Sequence, residues 1–235
     1  MREVTPGVTR VLGVDACKAG WVAIAVGAGP PVAYVAGTID ALVSKVEEDG
    51  PVGLVAIDIP IGLPDAGRRA ADGLARRLIG PRASSVFTTP VRAAIGAPDH
   101  ETAVEVNRRL AGEGVSRQAF GLKEKLLQVE RFALTGQFRV IEVHPEVCFA
   151  YMNEGPLTSG KATWAGAEHR RRLLARNGIA LVGDLGLAGL NAGVDDVLDA
   201  GAAAWTAARA FAGHATSLPD PPEHFSDGWP AAIWF

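Results

Sequence analysis

Residues 52–59, Val-Gly-Leu-Val-Ala-Ile-Asp-Ile, form a nearly continuous apolar run that Pro60 and Pro64 then stop. A run without polar alternation suits a central strand buried on both faces, in a sheet covered by helices. The chain before it supplies neighbours for that strand. Residues 8–15 read as a buried strand and residues 21–26 as a second. Ala16-Cys-Lys-Ala-Gly20 is a tight link between them and predicts a hairpin. Residues 32–36 read as a third strand after the Gly29-Pro-Pro31 turn. Thr38 is placed to N-cap a helix over 39–49, with Leu42, Val43 and Val46 on its apolar side. Gly50-Pro51 ends that helix.

Residues 65–135 show no strong strand pattern and predict helices over 66–79, 99–112 and 117–134. Gly80 to Pro90 reads as a loop between the first two. Residues 138–144 give another strand, ended by Pro145. Residues 166–176 read as a basic helix and 195–212 as the last good helix. The Pro-rich tail 216–235 ends in Ile233-Trp-Phe235, an apolar end expected to pack on the core. No internal repeat or clean linker divides the chain. The expectation is one α/β domain over 8–235, with 65–135 as a helical insertion. Three antiparallel strands followed by strands joined through helices make a mixed sheet. Strand-strand-strand-helix-strand-helices-strand-helix is the order of the ribonuclease H fold, here with the crossover between the fourth and fifth strands enlarged.

Length and composition bound the function. A chain of 235 residues with 48% hydrophobic content can bury a full core and is not a disordered protein. A net charge of -3 gives no global attraction for nucleic acid, so binding of that kind needs a local basic patch. Met1-Arg-Glu-Val-Thr-Pro lacks the apolar core of a signal peptide. The Ala-rich segment 200–212 is too short to span a bilayer and contains Arg209. Cys17 and Cys148 form no zinc pattern and no disulfide framework, as expected of two core thiols in a cytoplasmic protein.

The chemistry lies in acids placed at element boundaries. Asp15 closes the first apolar run and Asp58 the fourth. Each has a local explanation as a turn residue. If both strands are central and parallel, their carboxyl ends lie side by side, where ligands bind in such sheets. Glu142 and His144 are two apart and share a strand face. Glu146 follows Pro145 and has no clear placement. Asp195 and Asp196 open the last helix and have a ready explanation as N-terminal acids. Asp199 lies a turn further in, where capping does not explain it. Ala200-Gly-Ala-Ala-Ala204 has almost no side-chain bulk, so this helix can approach the sheet and bring Asp199 to the strand ends. Converging carboxylates are costly to bury uncompensated, and a divalent cation is their best compensation. Mg²⁺ or Mn²⁺ held by Asp15, Asp58, Asp196 and Asp199 points to hydrolysis of a phosphodiester, with Asp15, Asp58, Glu142 and Asp199 as the catalytic acids.

The segments Gly13-Val-Asp-Ala-Cys-Lys-Ala-Gly-Trp21, Ile57-Asp-Ile-Pro-Ile-Gly-Leu-Pro64, Arg82-Ala-Ser-Ser-Val-Phe87, Glu142-Val-His-Pro-Glu146 and Asp195-Asp-Val-Leu-Asp-Ala200 together resemble one family. It is the domain-of-unknown-function family 429, described as predicted nucleases with a ribonuclease H-like fold. The resemblance runs from about residue 10 to the tail. It implies a metal-dependent nuclease role without naming a substrate. Asp15 matches the first-strand acid of ribonuclease H-like enzymes, Asp58 the fourth-strand acid, and Asp199 or Asp196 the acid on the last helix. Glu142, on the fifth strand, departs from that arrangement.

Candidate substrate contacts are Lys18, Arg82, Ser84, Ser85 and His144. Arg68, Arg69, Arg76, Arg77 and Arg92 in the insertion, and Arg170, Arg171, Arg172 and Arg176 in the basic helix, are further phosphate candidates or solvated helix faces. No Walker loop and no nucleophile elbow is present. Two alternatives stay open. One is a non-catalytic nucleic-acid or protein binding module in which the acids are structural. The other is an ATP-dependent phosphotransferase, disfavoured by the single copy of the strand pattern. The oligomeric state is open, with a homodimer through the apolar tail as one arrangement.

Overall fold

The computed structural model describes residues 9–235. The leader-peptide reading and the expected strand start at residue 8 fall outside the described residues. Strands β1 (Arg10–Cys17), β2 (Gly20–Val26) and β3 (Val32–Ala36) form an antiparallel meander. Helix α1 (Ile39–Glu47) crosses to β4 (Val52–Ile57), which lies parallel to β1. Thr38 caps α1 as expected, accepting from the Ala41 amide at 3.3 Å.

Residues 65–135, all of them described, contain no strand. They form α2 (Ala70–Ile79), a 3-10 turn at Gly80–Ser85, α3 (Arg92–Ile95), α4 (His100–Ala111), α5 (Arg117–Gly121) and α6 (Lys123–Leu134). The single helix expected over 117–134 is thus divided around Leu122. β5 (Arg139–Val143) returns parallel to β4. Then come α7 (Pro145–Met152), α8 (Trp164–Arg176), α9 (Gly186–Asn191), α10 (Val194–Phe211), β6 (Ser217–His224) and β7 (Pro230–Trp234).

Among the described residues the result is a mixed sheet of seven strands in the order β3-β2-β1-β4-β5-β7-β6. Two of these strands lie in the tail, where the sequence reading expected none. β6 carries Pro219, Pro221 and Pro222, which read as a strand breaker. The structure places β6 at the sheet edge, where proline costs no ladder bond. α7 is a second departure from the sequence reading. Pro145 ends β5 but also occupies the first helical turn, where its fixed φ favours a helix.

Side-chain parity sorts the sheet into two packed faces. Val11, Leu54, Ala56, Ile141 and Val143 face the layer of α10, α7 and α8. Leu12, Val14, Val55 and Ile57 face the layer of α1 and α6. α10 lies almost in contact with the β1 backbone. A Cβ on Gly13 would sit 1.8 Å from the Ala204 amide nitrogen and 2.2 Å from the Ala200 carbonyl oxygen. The Ala200–Ala204 stretch therefore does bring the helix down onto the sheet, and only glycine at position 13 permits it.

Candidate metal centre

Parity also decides which acids converge. Asp15 has the same parity as Val11 and Asp58 the same as Leu54 and Ala56, so both project on the α10 side. The two strand ends are in register: the Asp58 amide donates to the Val14 carbonyl at 3.0 Å. Asp199 comes down from the second turn of α10. Asp15, Asp58 and Asp199 each offer a carboxylate oxygen, and these three atoms lie within 4.8 Å of one another. Asp15 is 8% exposed and Asp199 3% exposed, so little water screens them.

Internal compensation for this cluster is slight. The Ala16 amide donates to Asp15 Oδ1 at 2.7 Å. Lys161 Nζ lies 2.7 Å from Asp199 Oδ2 and 3.5 Å from Asp195 Oδ2. Asp199 Oδ1 is buried with no partner among the described residues. Burial holds the Asp15 carboxyl well above the usual carboxylate range, with Asp58, Asp199 and Asp196 adding to the rise and Lys161 opposing it. Burial pushes Asp58 up to about 7, against Lys161 and with help from Glu142 and Glu146. Burial likewise pushes Asp199 up to about 7, opposed by Lys161 and assisted by Asp58 and Glu146. One ammonium faces three carboxylates. The unpartnered oxygen and the all-oxygen donor set fit a hard divalent cation such as Mg²⁺ or Mn²⁺.

The cluster forms the floor of a cavity of about 420 Å³ at the carboxyl ends of β1, β4 and β5. Arg82, Ser84 and Ser85 from the 3-10 turn, His144, Lys161 and Asp196 are among its walls. Arg82 donates to the Leu157 and Thr158 carbonyls at 3.2 and 2.8 Å, which fastens the turn to the loop carrying Lys161. The Ser85 hydroxyl donates to the Arg82 carbonyl at 2.9 Å. His144 Nε2 lies 3.4 Å from the Ser85 carbonyl oxygen, and burial lowers its pKa. Asp196 Oδ2 accepts from the Gly193 amide at 3.1 Å, so it caps α10 at the cavity rim. Lys18 is exposed in the β1–β2 turn and does not line the cavity.

Glu142 is placed differently from the catalytic role expected of it. Its parity is opposite to that of Ile141 and Val143, which puts it on the sheet face away from α10. There both of its oxygens are engaged. Arg69 donates to Oε1 at 2.6 Å and to Oε2 at 2.8 Å, and the Ile61 amide donates to Oε2 at 2.6 Å. Arg69 also holds Asp72, whose Oδ2 accepts from the Thr89 amide at 2.7 Å. Arg69 is therefore a buried structural cation rather than a phosphate contact. Much of the remaining arginine set is paired too: Arg68 with Glu113, Arg92 with Glu130 and Asp227, Arg170 with Glu146, and Arg171 and Arg172 with Glu168.

Lys161 and the Glu146–Arg170 pair were not assigned to the site from sequence. Lys161 sits in an irregular loop 38 residues from Asp199, with no local pattern to mark it. Glu146 carried a signal, the Glu142-Val-His-Pro-Glu146 run, but its direction depends on the helix that Pro145 starts.

A protein-family profile described as "Protein of unknown function (DUF429)" matches residues 13–224. The chain belongs to this family. The match spans β1 to β6 and includes all three clustered aspartates. Comparison with curated proteins and with solved structures returns no match. No helix among the described residues is long and apolar enough to cross a membrane.

Proposed function

We propose that this DUF429 protein is a metal-dependent nuclease on a ribonuclease H-like fold, hydrolysing nucleic-acid phosphodiester bonds with Mg²⁺ or Mn²⁺. The observation that carries the reading is the Asp15–Asp58–Asp199 cluster, whose ligand oxygens lie within 4.8 Å at the adjacent ends of two parallel strands. The sheet order supports it. β3-β2-β1-β4-β5, with the first three antiparallel and the last two parallel to β1, follows the ribonuclease H pattern.

Asp15, Asp58 and Asp199 would hold the cation. When bound, it supplies Lewis-acid stabilisation of the charge that builds on phosphoryl oxygens. The chain's own residues do the positioning. Lys161, anchored on Asp199, presents a positive charge at the cavity mouth and lowers the repulsion between an anionic substrate and the acidic floor. Arg82 adds a second positive wall, and the nearby Ser84 and Ser85 supply hydroxyls of the kind that bind phosphate oxygens. A phosphodiester is the substrate class that meets a cation-binding floor and a cationic rim together.

Incubation of the purified protein with DNA, RNA and hybrid substrates in Mn²⁺ tests the reading. Cleavage that Asp15→Asn or Asp58→Asn abolishes supports it. A protein that cleaves none of these and binds no Mn²⁺ rules it out.

A further inference from the structure

Asp72, Glu142, Asp196 and Glu146 also line the cavity, and of these Glu146 is the one with a buried oxygen left unpartnered among the described residues. Glu146 lies in the first turn of α7, is 8% exposed, and lines the same cavity as the three aspartates. Its two oxygens differ. Oε1 accepts from Arg170 Nη2 at 2.5 Å, whereas Oε2 is buried with no partner among the described residues. Buried carboxylate oxygens are normally satisfied, because leaving one without a partner costs its full desolvation.

Arg170 is built to hold Glu146 still. It is fully buried, its Nη1 donates to the Ser159 carbonyl at 3.2 Å and the Gly166 carbonyl at 3.1 Å, and its guanidinium lies 5.4 Å from the Phe149 ring centroid. A glutamate fixed by one oxygen, with the other left free in an acidic cavity, is the arrangement of a carboxylate oriented toward a metal centre. Glu142 shows the contrasting case, with both oxygens occupied by donors. Among the described residues, the unpartnered buried oxygens in this cavity are Asp199 Oδ1 and Glu146 Oε2.

We propose that Glu146 is a fourth carboxylate of the Asp15–Asp58–Asp199 cation centre, acting on the ion through a bridging water because it stands outside the group of oxygens within 4.8 Å, with Arg170 as the residue that positions it. The proposal rests on the cation-centre reading above and adds a carboxylate from outside the first strand, fourth strand and last helix. By engaging Oε1, Arg170 leaves Glu146 to act through Oε2 alone. It also gives Glu146 its own counter-charge, so Glu146 adds less repulsion to the aspartate cluster than a free carboxylate would.

Calorimetric titration of Mn²⁺ alone into wild type and Glu146→Gln tests this. Glutamine keeps the length of the side chain and an acceptor for Arg170 but removes the charged oxygen. The expected result is at least a tenfold loss of Mn²⁺ affinity, roughly the scale of lost metal-site interactions. If Glu146→Gln does not fold, the paired replacement Glu146→Met with Arg170→Met removes the carboxylate without stranding a charge, and the same loss is expected. If the folded variant binds Mn²⁺ within about twofold of wild type, well inside that range, Glu146 is only the structural partner of Arg170 and the inference is wrong, while the three-aspartate centre stands. If wild type itself binds no Mn²⁺, the cation centre and this inference fall together.

Discussion

Two acidic clusters lie within one cavity wall of each other, and they are compensated in opposite ways. Around Arg69, the carboxylates of Glu142 and Asp72 are matched by a fully buried guanidinium, backbone amides and Thr89. Around Asp15, Asp58 and Asp199, one half-exposed lysine faces three acids, and a buried oxygen has no partner among the described residues. Both clusters sit at the same end of the same sheet. Burial and acidity therefore do not set the two clusters apart; incomplete compensation does. A buried arginine balances one cluster, and a deficit of positive charge remains at the other.

The sharpest way to break this comparison is to remove the buried guanidinium. Arg69→Met strands Glu142 and Asp72 without a counter-charge and is expected to cost about 3–5 kcal/mol, read as a large fall in denaturation midpoint. A cost below about 1 kcal/mol, the scale of an exposed pair, would show that the network is not the balanced cluster described. Gly13→Ala is expected to follow in size, at about 1–3 kcal/mol or more, because the new methyl meets the α10 backbone. It should also weaken Mn²⁺ binding, since α10 carries Asp199. Unchanged Mn²⁺ affinity in a folded Gly13→Ala protein would separate helix position from the site.

Next in size is the response of the aspartate cluster to pH. Asp58 and Asp199 titrate near 7 in the folded protein, raised first of all by burial, against about 3.9 in an unfolded chain. A raised carboxyl favours folding while it is protonated. Their contribution to the stability of the metal-free protein is therefore fully present below about 3.9 and is lost as pH rises through about 7. Asp58→Asn should flatten that loss, measured by thermal melts in a chelator. A metal-free protein that gained stability over the same interval would contradict the placement of these charges. The smallest expected effect is at Lys161. Lys161→Met removes a partly exposed ammonium that competes for the same oxygens, and should tighten Mn²⁺ binding roughly three- to fivefold, on the scale of a surface ion pair. Weaker binding in that variant would make Lys161 a partner of the cation rather than a competitor.

How much of this was legible in the chain depended on whether the deciding signal was local. Asp15 and Asp58 were visible because each closes an apolar run, and Asp199 because capping does not reach it. The closeness of α10 was visible in the absence of side-chain bulk over Ala200–Ala204. Glu142 was misplaced because its pairing with His144 gave a face but not which face. Only the sheet's packing shows that Ile141 and Val143 take the α10 side. Arg69 and Arg170 looked like surface cations in basic stretches, yet both are buried ion-pair partners. Composition cannot tell these from solvated arginines, because the partner lies 73 residues away in one case and 24 in the other. β6 was hidden by prolines that an edge strand tolerates.

The most direct test of the central claim is the melting temperature of wild type and Asp58→Asn near pH 8, in a chelator and in excess Mn²⁺. A ligand that binds only the native state raises its stability by mass action. A clear rise is expected for wild type on adding Mn²⁺ and little or none for Asp58→Asn, which should already melt higher in the chelator. An absent shift in wild type, or an equal shift in both proteins, would mean that the aspartate cluster is not a cation site.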